Sequence, residues 1–351
     1  MVRMQRARLA PLLLAAASTA CAPEQPASDG AAPPRPAPPG MVWIPPGEFD
    51  MGGSGPLARA DEFPVHRVRL EGFWIDRTEV TNAQYAAFVA ATGYTTVAER
   101  AVDWEVLRRQ LPEGAQRPDE ALLAPGSLVF VAPESRPDPE DYASWWRWTP
   151  GACWKHPAGP GSGVEGKDDE PVVHIAFEDA LAYCAWAGKS LPTEAQWERA
   201  ARGGLAGKHN AWGDEPIDER RANTWQGEFP VSNTRADGHA MAAPVASYPP
   251  NGWGLHDMAG NVWEWCLDLY AEDAYALALA AAGGGTVVDP RGPSEARDPR
   301  NPRAKDSRVQ RGGSFLCNDS YCASYRPSAR MSCAPDTGSS HVGFRCVLAP
   351  P

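Results

Sequence analysis

Several things are missing from this 351-residue sequence, and each absence narrows what the chain can be. Its N-terminal apolar run, Leu9 to Ala17, is too short to form a bilayer-spanning helix. No internal repeat and no coiled-coil heptad is present, which excludes solenoids and extended helical rods. No Gly-x-Gly-x-x-Gly run follows a strand-like segment, so a dinucleotide or flavin fold is not indicated. The eight cysteines contain no CxxC…CxxC zinc pattern. Positive charge is also short. Lys and Arg total 33 against 44 Asp and Glu, a net charge of −11. Non-specific binding to nucleic acid or to an anionic bilayer, which needs a basic patch, is therefore not expected.

What is present points to a globular fold rich in loops. Hydrophobic residues make up 43% and charged residues 22%, enough for a sizeable core. The chain holds 36 prolines and 33 glycines, which predict short elements joined by turn-rich connections. Tryptophan outnumbers phenylalanine, 14 to 9, and supplies large buried areas where regular structure is scarce.

The start reads as an export signal. Arg3, Arg6 and Arg8 precede the apolar run, and Ser18-Thr19-Ala20-Cys21 supplies small residues before a cut. Residues 1–20 are thus expected to be a signal peptide, which would make the protein periplasmic, membrane-tethered or secreted. Cys21 stands where a bacterial lipoprotein carries its lipid, although Ser18 takes a place that Leu usually holds. A lipid anchor and a plain secretory cut are both open. Residues 21–40 are rich in Pro and Ala and read as a semi-rigid tether. Export places the remaining cysteines in an oxidising compartment, where disulfides are permitted.

From Met41 to Ala349 the sequence reads as one α+β domain with little regular secondary structure. Met41 to Pro45 and Val65 to Ile75 are strand-like. Thr81 is a good N-cap for a helix whose apolar face is Tyr85, Phe88 and Val89. A second helix is predicted over Phe177 to Ala187. A third follows Thr193, with Gln196 as the capping-box partner and Trp197 and Ala200 facing inward. Glu99 to Asp141 reads as loop with short elements, and Gly283 to Asp306 as a surface excursion.

Six segments, in order, resemble the sulfatase-modifying-factor family. They are Trp43-Ile44-Pro45-Pro46-Gly47-Glu48-Phe49, Glu79-Val80-Thr81-Asn82, Leu191-Pro192-Thr193-Glu194-Ala195-Gln196-Trp197-Glu198, Gly260-Asn261-Val262-Trp263-Glu264-Trp265, Arg311-Gly312-Gly313-Ser314 and Gly343-Phe344-Arg345-Cys346. The resemblance implies that family's C-type-lectin-like fold. The segment from Ser314 to Cys322 is similar to the active-site stretch of the family's formylglycine-generating enzymes, in which two cysteines five apart follow Gly-Gly-Ser. It implies that Cys317 and Cys322 hold one Cu(I) ion as thiolates. They would use dioxygen to convert a cysteine of an unfolded sulfatase-type Cys-x-Pro-x-Arg segment to formylglycine. Cu(I) is soft, prefers thiolate and tolerates low coordination, so the residue types suit that chemistry in their own right. Spacing alone also allows Cys317 and Cys322 to be a plain disulfide.

The same resemblance assigns Ser314, Tyr321 and Trp263 to the lining of the active site, while Asn318 stands where a histidine often follows the first cysteine. It implies structural Ca2+ at two places. Asn223, Thr224, Asp237 and His239 form one set, and Asp257, Gly260, Val262 and Glu264 the other, mixing side-chain oxygens with loop carbonyls. It pairs Cys184 with Cys346 in a disulfide, and leaves Cys153, Cys266 and Cys333 without counterparts. The protein is expected to be a monomer. Two other readings compete. A non-catalytic binding or assembly lipoprotein of the same fold would lack the cysteine pair. An iron-dependent sulfoxide synthase would cluster its histidines, whereas His66, His156, His174, His209, His239, His256 and His341 are scattered along the chain.

Overall fold

The computed structural model describes residues 36–138, 141–303 and 305–350. The signal segment, Cys21 and most of the tether lie outside the described residues. Helix accounts for 18% of the chain and strand for 20%, so most of the backbone is loop, as the Pro and Gly content requires.

Three helices organise the interior. The helix Asn82–Thr92 starts at Thr81, whose hydroxyl accepts from the Gln84 N–H while Gln84 Oε1 accepts from the Thr81 N–H at 3.0 Å. Tyr85 and Phe88 bury its inner face, and Val89 packs beside them. The helix Phe177–Trp186 lies against it. The helix Glu194–Arg202 carries the reciprocal Thr193–Gln196 box at 2.9 and 3.1 Å, and Trp197 and Ala200 are fully buried. All three agree with the sequence reading to within a residue.

Five small sheets surround them. In the largest, the order is Met331–Cys333, Arg308–Arg311, Trp263–Leu269 and Val342–Gly343. Its long strand runs antiparallel to Arg308–Arg311 and parallel to Val342–Gly343. A second sheet sets Phe73–Asp76 between Met41–Ile44 and Val347–Leu348, so both ends of the described chain meet there. The expected single strand over Val65 to Ile75 is in fact two, His66–Leu70 and Phe73–Asp76. Glu71 and Gly72 carry the chain from one sheet to the next, and the alternation of buried residues continues across that turn. The stretch read as loop holds a strand at Gly126–Phe130, paired with Trp146–Pro150 sixteen residues later. The surface excursion holds a two-residue strand, Val287–Val288, parallel to His66–Leu70.

The core is apolar around Trp197, Phe73 and Leu255, and again around Tyr85, Trp265 and Phe344. Between these clusters lies a buried network of ions. Arg311 donates to Glu194 at 3.0 Å and also to Glu198; Arg330 donates to Glu194 at 2.5 and 3.0 Å. Arg326 donates to Glu62 at 2.6 and 2.8 Å, and Arg345 to Glu264 at 2.7 Å through two nitrogens. These acids and bases come largely from the six motif segments. The motifs are thus the scaffold's electrostatic frame, which a reading by resemblance names without explaining.

Cys184 and Cys346 face each other inside this core with their sulfurs 3.4 Å apart and unlinked. The expected disulfide is therefore a pair of adjacent free thiols here, since a bond needs a separation near 2.05 Å. Cys153, Cys266 and Cys333 are also free.

Candidate active site

The cysteine segment leaves the strand Arg308–Arg311 through Gly312 and Gly313. Gly313 has φ +71°, and a Cβ there would lie 2.8 Å from the Tyr325 nitrogen. Only glycine permits this left-handed backbone and close approach. The intervening residues are thereby folded back into a compact loop. The Asn318 carbonyl accepts from the N–H groups of Tyr321, Cys322 and Ala323 at 3.0–3.1 Å. Ser314 closes the other side: its carbonyl accepts from the Cys317 N–H at 2.9 Å and its hydroxyl from the Leu316 N–H at 3.2 Å. Two cysteines five apart in sequence are thus brought within hydrogen-bonding reach of each other as free thiols. The plain disulfide that spacing also allowed is not what the loop contains.

Their environments differ. Cys317 is 2% exposed, whereas Cys322 is half-buried. The hydrogen bond from Cys317 stabilises the Cys322 thiolate and brings it down to about 7, helped by Ser324. Burial, and that same donated bond, push Cys317 well up. The pair gives up its first proton easily and its second reluctantly, unless a cation arrives to share both sulfurs.

Aromatic rings surround the pair. Trp263 is buried in the same cluster as Cys317, its N–H donating to the His341 carbonyl at 2.8 Å. Tyr321, between the cysteines, is 38% exposed and stacks on Phe229 at 4.4 Å. Trp145, Trp225, Phe229, Phe315 and Leu316 form a small cluster around it, with Phe130 and Trp146 packed at its margin. Trp263, Ser314 and Tyr321 stand beside the cysteines as expected, but the Trp145–Trp225–Phe229 wall was not foreseen. Its only trace in the sequence was the excess of tryptophan. Asn318 points away from the pair: its side-chain amide donates to the Gly227 carbonyl at 3.0 Å and its oxygen holds Ser320.

The donor set suits Cu(I). It offers two soft sulfurs, and among the described residues no group of three His, Cys, Asp or Glu side chains converges on a metal-sized point. Four-ligand zinc is poorly served, and a two-coordinate soft ion well served. His174 and His341 approach each other, but burial holds them neutral, down to about 4 and about 3. Their rings bond to Ser127, the Pro157 carbonyl and Ser339, leaving no carboxylate-and-histidine iron site.

The two calcium sets adjoin each other. Gly260 has φ +76°, and a Cβ there would lie 2.2 Å from the Asn223 carbonyl oxygen, which also accepts from Asn261 at 2.9 Å. In the second set the expected Glu264 ligand is already engaged. Arg345 holds both of its oxygens, and the Trp197 indole donates to one at 2.7 Å. Beside it, Glu79 Oε2 is buried without a hydrogen-bond partner. Burial and the neighbouring Asp257 push Glu79 well above the usual carboxylate range, and burial raises Asp257 too. Glu79, Asp257 and Glu264 against one Arg345 leave this corner short of positive charge, so a hard cation fits. In the first set, Asp237 accepts from the His239 N–H at 3.0 Å and Asn223 donates to the Met241 carbonyl at 2.9 Å.

The fold is shared with solved structures. PvdO from Pseudomonas aeruginosa superposes with a TM-score of 0.56 at 23% identity, covering 88% of this chain and 94% of that one. Treponema denticola variable protein 1 gives 0.51 at 19%, over 88% and 95%. Both mark a mixed, loop-rich single domain and say nothing of chemistry. The model of the sulfatase-modifying factor enzyme 1-like domain matches residues 27–350, and the chain belongs to that family. The formylglycine-generating enzyme of Thermomonospora curvata is 47% identical over 89% of this chain and 94% of its own. That of Mycobacterium tuberculosis is 42% identical over 88% and 98%. The mouse inactive C-alpha-formylglycine-generating enzyme 2 is also similar, at 36% over 88% and 85%, so kinship alone does not decide activity.

Proposed function

We propose that this chain is a formylglycine-generating oxidoreductase acting on a cysteine of sulfatase-type polypeptides. The observation that carries the reading is the pair of free, facing thiols, Cys317 and Cys322, set beneath an aromatic wall with one of them reaching the surface. A copper(I) ion held by both thiolates would supply a soft site for the substrate sulfur and for dioxygen. The protein's own part is to keep both sulfurs deprotonated and undisturbed by other ligands. Trp263 and Phe315 exclude water behind them, and Tyr321 and Phe229 offer flat faces to an incoming peptide.

Removing two electrons and two protons from the substrate's Cβ–H and S–H gives a thioaldehyde, and dioxygen accepts the electrons. Water then replaces sulfur to leave the aldehyde. Calcium at Asp257, Gly260, Val262 and Glu264, and at Asn223, Thr224, Asp237 and His239, would fix loops that no sheet holds. The signal-like start makes the protein an exported one, free or lipid-anchored at Cys21, working as a monomer on unfolded chains.

The test is direct. Copper-loaded protein is incubated in air with a Cys-x-Pro-x-Arg peptide, and the aldehyde is captured by an aminooxy probe. One aldehyde per cysteine is expected. No aldehyde with copper supplied, while the thiols remain free, would overturn the reading.

A further inference from the structure

The hairpin Gly126–Phe130/Trp146–Pro150 has one end at the active site and the other at a separate cavity. Phe130 and Trp146 are cross-strand partners, and Phe130 lies 5.6 Å from Trp225 and 6.1 Å from Phe229, in the wall beside Tyr321. Two residues along, Leu128 pairs with Trp148. Side chains two apart on a strand share a face, so these four residues form one half-exposed stripe. It ends in a cavity of about 520 Å³, walled by Val97, Val102, Leu107 and Leu122 opposite Leu128 and Trp148. That volume falls within the usual range for ligand sites. At about 3.3 Å per residue, the span from Phe130 to Gly126 is roughly 13 Å.

Within this cavity's lining, the Trp148 indole N–H is buried and has no hydrogen-bond partner. Such a donor costs stability unless something accepts from it, and the backbone carbonyl of an extended peptide is an acceptor of the right kind. The stripe is continuous with the wall beside the thiols, so a peptide leaving that site would follow it.

Resting on the function proposed above, we infer that this cavity is an exosite for the unfolded polypeptide substrate. It takes one apolar side chain at least four residues from the target cysteine, with a main-chain carbonyl accepting from Trp148. Selection would then reach beyond the short motif. Extended chains carrying an apolar residue at that distance bind better than the motif alone.

The experiment uses peptides with six extra residues on each side of Cys-x-Pro-x-Arg, a single leucine being walked through otherwise serine-rich flanks. Binding is read by fluorescence anisotropy with the target cysteine replaced by serine, which needs neither copper nor turnover. One leucine position is expected to tighten Kd about tenfold, in line with burial of one leucine side chain. Trp148→Phe should lose about threefold of this gain. Val102→Trp or Ala101→Trp, which fill the cavity, should abolish it, with binding of a motif-only peptide unchanged in every variant. If no leucine position matters, or if the gain survives both filling variants with unaltered melting temperatures, the exosite is wrong. If leucine-dependent binding is found but no peptide yields aldehyde, the chemical reading fails and the exosite stands.

Discussion

The buried interior of this protein is built in two opposite ways. In the frame, Arg311, Arg326, Arg330 and Arg345 are sealed from water and each is matched by carboxylates 2.5–3.2 Å away or closer. Around the thiols, a few residues further along, the neighbours are Trp145, Trp225, Phe229, Phe315 and Leu316, with no ion pair joining that cluster. The contrast is chemical. A guanidinium beside Cys317 and Cys322 would stabilise thiolate without any metal, and a carboxylate or imidazole would compete with sulfur for it. Charge is therefore used where rigidity is needed and kept away where a soft ion has to be the only counter-charge.

That contrast can be broken experimentally, and the largest effect should come from the site. Cys317→Ala or Cys322→Ala is expected to lower aldehyde formation by about 10³-fold or more while the urea midpoint moves little. Retention of activity by either would remove the paired-thiol mechanism. Next, Arg311→Met leaves Glu194 and Glu198 without a buried partner and should cost about 3–5 kcal/mol in urea unfolding. Aldehyde formation per folded molecule should stay within about twofold. A parallel collapse of specific activity would show that frame and site are not separable.

The calcium corner lies between the two. Chelation should destabilise the protein by about 2.7 kcal/mol relative to calcium at a hundredfold excess over its Kd, and Glu79→Gln should shrink that difference. An unchanged melting temperature after chelation would remove calcium from this corner. The smallest effect is a pH slope. Burial and the nearby Glu194 push Asp268 up to about 7. The folded chain keeps that proton where an unfolded aspartate loses it near pH 4, so Asp268 makes stability fall as pH rises from about 4 to 7. The slope is at most about 1.4 kcal/mol per pH unit. Asp268→Asn should remove this component, read as the difference between the two proteins' urea midpoints at pH 4.5 and 7.5.

How much of this was legible in the sequence depended on how local the cause was. The caps at Thr81 and Thr193 were readable because a capping box closes over three residues, and the structure reproduces both. The cysteine loop was found because its constraints, Gly313 and the five-residue spacing, are also local. The hairpin Gly126–Phe130/Trp146–Pro150 was missed because its strands are separated by a connection without hairpin-turn chemistry. The aromatic wall was missed for a related reason: Trp145, Phe229 and Phe315 come from distant segments and meet only in three dimensions. The role of Glu264 was misjudged in part, because a motif position does not reveal that Arg345, 81 residues away, holds its carboxylate.

Met41–Ile44 and Val347–Leu348 flank the same strand, Phe73–Asp76. The ends of the folded body are therefore neighbours across a strand, within reach of a short linker. A circular permutant joining residue 348 to residue 41, and opened in the Gly-rich segment 283–285, should fold with its thiol loop intact. In such a permutant the new ends would leave from a different part of the surface, so that the direction in which a tether holds the active site becomes a matter of choice.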